Sequence, residues 1–222
     1  MFIFPGVIIC KGQVKKSRYI HVGNNFTTEG IPKVLLNSEK KISDAEFEIL
    51  IKKHNRVHLI PEYNRYGEPA LYFVDTSARI VQRINPDKRT PPGELLPPFT
   101  MTGFNEEVVK SEQFRGKKVI LLFRMYFERN FFNEKWFDDL NNLQTGCSSC
   151  EFIMLTGSTK EEIMEMIGAK EIDFYLIPNS RGFVQRYSVN EFPSAIILDE
   201  NGAVISYLSG IDMKKINTVI NQ

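Results

Sequence analysis

Beyond residue 97 the chain alternates strand and helix signals, and this alternation limits the folds open to it more than any other feature. Lys118–Arg124 (Lys-Val-Ile-Leu-Leu-Phe-Arg) is a short apolar run of the kind that forms a buried strand. Phe131–Gln144 reads as a helix that stops at Gly146, and Cys150–Leu155 as a second strand. Ser158-Thr159-Lys160-Glu161 has the spacing of a capping box, opening a helix with Ile163, Met164, Met166 and Ile167 turned inward. Ile172–Ile177 reads as a short strand. Ala195–Asp199 and Ala203–Leu208 flank Asn201-Gly202, a dipeptide that favours a tight hairpin turn. Asp212–Asn221 closes the chain as a helix. The order β-α-β-α-β-β-α predicts an α/β fold, a mixed sheet with helices on both faces.

The N-terminal part is different. Ser43-Asp44-Ala45-Glu46 is a capping box followed by Phe47, Leu50 and Ile51 at helical spacing. Leu71–Asp75 and Arg79–Ile84 read as two strands of a hairpin turning at Thr76-Ser77. Pro86, Pro91, Pro92, Pro97, Pro98 and Gly93 cluster; proline keeps the residue before it out of helix, so the stretch reads as a linker. The expected division is residues 1–12 as the remnant of a signal, 13–95 as a small α+β domain with linker, and 96–222 as the larger α/β domain.

A net charge of +1 offers no argument for nucleic acid, and no stretch is long enough to span a bilayer. Charge is uneven: residues 1–96 carry +5 and residues 97–222 carry −4. Phe2–Ile9 is apolar and leads into Cys10-Lys11-Gly12-Gln13, which suits a leader cleaved before Gln13, although the basic n-region is missing. That pattern points to a periplasmic or secreted protein. The alternative is a short N-terminal strand in a cytoplasmic one. His21, His54 and His58 lack carboxylate or cysteine partners nearby and read as surface or hairpin residues, so no metal and no cofactor is expected.

Three segments carry a resemblance. Leu96-Pro-Pro-Phe-Thr-Met101, Ser111–Phe123 with its Gly116-Lys117 turn into an apolar strand, and Glu191–Gly202 with its proline, strand and Asp-x-x-Gly turn resemble the bacterial TlpA-like branch of the thioredoxin-like superfamily. That branch borders the alkyl hydroperoxide reductase and thiol-specific antioxidant group. The resemblance covers residues 97–210. It implies a thioredoxin-like sheet, a cis bond at Phe192-Pro193, and thiol–disulfide chemistry in a groove beside that proline.

Here the sequence departs from the family. Its relatives place an aromatic residue and then C-x-x-C after the first central strand; this chain has Phe127 and then Glu128-Arg129-Asn130-Phe131. Disulfide exchange needs a thiolate at a helix N-terminus, where the dipole and free amides stabilise it. Glu128 and Phe131 supply none. The only C-x-x-C is Cys147-Ser148-Ser149-Cys150, which follows the expected helix C-terminus and is followed by Glu151. Two functions remain open. One is a redox-inactive protein that binds a peptide or protein partner in the groove formed by Phe127, Glu128, Phe131, Phe192 and Pro193. The other is a divergent thiol–disulfide oxidoreductase with Cys147 and Cys150 as its catalytic pair.

Overall fold

A computed structural model describes residues 8–10, 28–54, 56–77, 86–127, 134–168 and 170–220. The chain divides into two compact units, one of residues 1–64 and 68–83, the other of residues 65–67 and 84–222.

The first unit is a five-stranded sheet with one helix. Its strands are β1 (Ile8–Cys10), β2 (Lys33–Leu35), β3 (Lys41–Ile42), β4 (Arg56–Tyr63) and β5 (Pro69–Asp75), in the order β1-β4-β5-β2-β3. Helix α1 (Asp44–Lys53) starts where the sequence predicts: the Ser43 hydroxyl accepts the Glu46 N–H, and the Glu46 carboxylate accepts the Ser43 N–H at 2.8 Å. Phe47 on its inner face is buried against Val57, Leu59, Tyr72 and Val74.

The partner of β5 corrects the expected hairpin. It pairs antiparallel with β4 and parallel with β2. The expected second strand, Arg79–Ile84, lies outside the described residues. His58 sits in β4 and is buried, not at the surface. His54 caps the C-terminus of α1, its N–H donating to Leu50 O. His21 lies outside the described residues.

The second unit opens with a small hairpin of β6 (Thr100–Thr102) and β7 (Val108–Lys110). Its main sheet holds β8 (Lys118–Arg124), β9 (Cys150–Thr156), β10 (Tyr175–Ile177), β11 (Ser194–Leu198) and β12 (Val204–Ser209), in the order β10-β9-β8-β11-β12. β8, β9 and β10 run parallel; β11 and β12 are antiparallel additions. This is the mixed sheet expected from the sequence.

The helices are α2 (Glu134–Gly146), α3 (Lys160–Ile167), α4 (Arg181–Arg186) and α5 (Met213–Ile220). Alternate residues of β8 feed opposite cores. Val119, Leu121 and Phe123 join Phe99, Phe183 and Tyr187 on one face. Ile120 and Leu122 join Phe137, Leu140, Ile163 and Ile216 on the other.

Several local expectations shift. The cap of α3 is Thr159 with Glu162, one residue later than expected. Ile163 and Ile167 face inward with Met166 against them, but Met164 is exposed. The third parallel strand begins at Tyr175 instead of Ile172. Six-residue α4 has no counterpart in the sequence reading. Residues 86–95 group with the second unit, held by Gly93 N–H to Val204 O at 2.8 Å and by the Tyr207 hydroxyl to Thr90 O at 2.9 Å.

Candidate functional site

Two places in the second unit bear on chemistry, and they lie at opposite ends of the same strands. The first is the edge where β8 and β9 end and β11 begins. Short polar side chains there hold the two exit loops together, since strand ends leave backbone groups needing partners. Gly157 N–H donates to Met125 O at 2.8 Å, and the Thr156 hydroxyl donates to the same oxygen at 3.3 Å. Phe127 N–H donates to the buried Ser158 hydroxyl at 2.9 Å. The Ser180 hydroxyl donates to Thr156 O at 2.8 Å.

This stitching places Phe127 in the core at 4% exposure, so it is not part of an open aromatic surface. The Arg124 guanidinium lies 5.5 Å from the Phe127 ring centre and 5.4 Å from that of Trp136, within cation–π range. Its burial pushes the guanidinium below its ordinary value. Arg181 lies over Tyr126 at 5.1 Å. A side chain at Gly157 would place its Cβ 2.9 Å from both Arg181 Nε and Met125 O, so glycine is required there for the loops to close.

The Phe192–Pro193 bond is cis. Pro193 is exposed and Phe192 half-buried, and Pro193 O accepts the Gly210 N–H at 2.8 Å. Ser194, the next residue, pairs with Phe123, so Pro193 stands beside the Arg124 end of β8. Glu128 and Phe131 lie outside the described residues. The sequence itself places no cysteine between Cys10 and Cys147.

The second place is the joint between α2 and β9. Cys147 and Cys150 form a disulfide there. Cys147 is half-buried, with its Sγ 3.7 Å from the Ser149 hydroxyl, while Cys150 is 1% exposed within the core. The pair follows the C-terminus of α2, the end of a helix that disfavours an anion. Glu151 follows directly, ion-paired with Lys117.

Register separates the two places. Cys150 pairs with Lys118 at the start of β8, whereas Ser194 pairs with Phe123 near its end. At about 3.3 Å per residue, the disulfide and the cis-proline are on the order of 20 Å apart along the strands. A cavity of about 360 Å³ also opens away from the cis-proline, lined by Leu96, Phe99, Phe114, Arg115, Val119 and Leu198.

Of the residues expected in the site, the structure brings Phe127, Phe192 and Pro193 to one edge and leaves Cys147 and Cys150 at the other. Sequence reading missed Arg124, Gly157, Ser158 and Arg181. Arg124 carried a signal, a charge closing an apolar strand that the fold directs to this edge. Ser158 reads in the sequence as a helix cap, which hides its role between the loops.

No family model matches the chain, and no curated protein matches it. Solved structures do. A protein described as the thiol:disulfide interchange protein DsbE of Chlorobium tepidum matches with a TM-score of 0.50 and 18% identity, covering 59% of this chain and 98% of that one. The C-terminal domain of a Bacteroides thetaiotaomicron protein described as a thiol-disulfide oxidoreductase matches with a TM-score of 0.47 and 16% identity, over 60% and 97%. The exposed lipoprotein thioredoxin Etrx1 of Streptococcus pneumoniae gives 0.47 and 14%, over 56% and 99%. The first of these establishes a thioredoxin-like fold; identity this low says nothing of chemistry. Among the described residues, no helix is long and apolar enough to cross a membrane.

Proposed function

We propose that this thioredoxin-like chain carries out no disulfide exchange at the cis-proline edge and uses that edge to bind an extended peptide or protein segment. One observation carries the reading: the described disulfide lies at the far end of β8 and β9 from Pro193. A segment docked beside Pro193 cannot form a mixed disulfide with either cysteine across on the order of 20 Å of sheet. The sequence from Met125 to Gly146 also contains no thiol. The edge offers the exposed Pro193, the half-buried Phe192 and the aromatic-stacked Arg124 and Arg181. A disulfide is most at home in an oxidising compartment, which supports a periplasmic or secreted location.

The test is insulin reduction by the full chain with dithiothreitol as electron donor. The rate should match that of dithiothreitol alone. Turnover at the rates of active thioredoxins would sink the proposal.

A specific observation favours a second reading. Cys147 and Cys150 do pair, and Cys147 is the more exposed of the two, as in a divergent thiol–disulfide oxidoreductase. That reading requires a reactive thiolate in the reduced protein. Pulse alkylation across pH decides it: rapid labelling of Cys147 below pH 8 supports the enzyme, and inertness there removes it.

A further inference from the structure

Helix α2 connects the two ends of the sheet. It runs 13 residues, about 20 Å at 1.5 Å per residue. At its C-terminus the disulfide bonds the residue after Gly146 to the first residue of β9. Near its N-terminus, Trp136 holds the Arg124 guanidinium at 5.4 Å, at the edge where β8 ends. Between these, Phe137 and Leu140 are fully buried against the sheet.

The joint has a second, non-covalent fastening. Gln144 Oε1 accepts the Phe152 N–H at 2.8 Å, and Gln144 Nε2 donates to Cys150 O at 3.3 Å. Lys118 N–H donates to Ser149 O at 2.9 Å. Cleaving the disulfide therefore loosens the joint without removing every tie, which is the behaviour of a latch. The site also suits slow switching better than turnover. Cys147 is reachable from solvent, but it follows the C-terminal end of α2, which disfavours a thiolate there once the bond is cut.

We propose that the Cys147–Cys150 disulfide is a redox-sensitive latch on α2, whose reduction by a dithiol frees the helix's C-terminal end and resets Trp136 against Arg124. In that step a thiolate of the dithiol attacks Cys147 Sγ. The S–S bond breaks and Cys150 leaves as a thiolate that takes up a proton. The dithiol's second thiol then closes onto the mixed disulfide, releasing Cys147 as a thiol and leaving the dithiol oxidised. The consequence for partner binding rests on the proposed role of the cis-proline edge; the conformational change does not.

Trp136 is the only tryptophan in the chain, so its emission reports the seat of α2 directly. The experiment treats the full chain with dithiothreitol, confirms reduction by alkylation and mass, and follows Trp136 emission and amide hydrogen exchange. Reduction should shift the emission and speed exchange over residues 140–152 about tenfold, while the far-UV circular dichroism is kept. Reoxidation should restore both signals. The double variant Cys147→Ser with Cys150→Ser should show the reduced emission throughout and ignore dithiothreitol, which also controls for Cys10. Unchanged emission after proven reduction overturns the latch. So does an equal response in the double variant, or loss of the whole fold on reduction. Insulin reduction at thioredoxin-like rates would refute the binding proposal alone and leave this result standing.

Discussion

Ser158 is 1% exposed and its hydroxyl accepts the Phe127 N–H, whereas its neighbour Thr159 caps α3 by accepting the Glu162 N–H at 3.2 Å. The two residues are alike in sequence, and their roles differ because only one faces the exit of β8. Ser158→Ala leaves a buried N–H without its acceptor and should cost about 1–3 kcal/mol, against about 1 kcal/mol for Thr159→Ala. Urea unfolding of the two variants checks this; a larger loss at Thr159 would contradict the assignment. Glu46 gives a residue-scale pH dependence. The Ser43 N–H is the main cause, and Lys40 adds to it, of a carboxyl held at about 2 instead of the ordinary 4.5. A depressed carboxyl stabilises the fold above its unfolded value and loses that effect as pH falls through the folded one. Glu46→Ala should therefore differ most from the parent above pH 4.5, with the difference vanishing towards pH 2. Denaturant midpoints across that window test the sign.

Among the elements, those carried by a local pattern were legible. β8 is bounded at Lys118 and Arg124 as its apolar run predicts, and α1 starts at its capping box. The Asn201-Gly202 turn joins β11 to β12, with Gly202 at φ +85° and the Asp199 carboxylate accepting the Asn201 N–H at 2.9 Å. Nothing lies within 4 Å of a Cβ built on Gly202, so Gly202→Ala costs backbone strain alone, about 1 kcal/mol by thermal unfolding. β4 was not legible, because Pro61 and His58 interrupt its pattern. In the structure Pro61 lies opposite Tyr72 of β5. α4 is too short for a periodic signal. It is held by Phe183 in the core and by the Tyr187 hydroxyl donating to Pro97 O at 3.1 Å, both long-range contacts.

At the scale of the whole molecule, the two units have separate apolar cores, one around Phe47 and Tyr72, the other on both faces of β8. Phe47→Ala should remove about 3–5 kcal/mol from the first core. Amide protection should then fall across β2, β4 and β5 while Ile120–Phe123 remain protected; equal loss in both would show one cooperative core. The disulfide should be a modest contributor. Closing so short a loop stabilises by about 2 kcal/mol, so Cys147→Ala with Cys150→Ala should unfold slightly earlier in urea yet still fold. By itself the sequence determined the mixed α/β sheet, the turn at Gly202 and the lack of any thiol from Met125 to Gly146, because each is written in neighbouring residues. Only the tertiary structure decided that Phe127 is core, that Arg124 stacks on Trp136, and that the cysteines stand at the opposite end from Pro193. Those depend on which strands pair and in what register, a property of residues far apart in the chain and close only once it has folded.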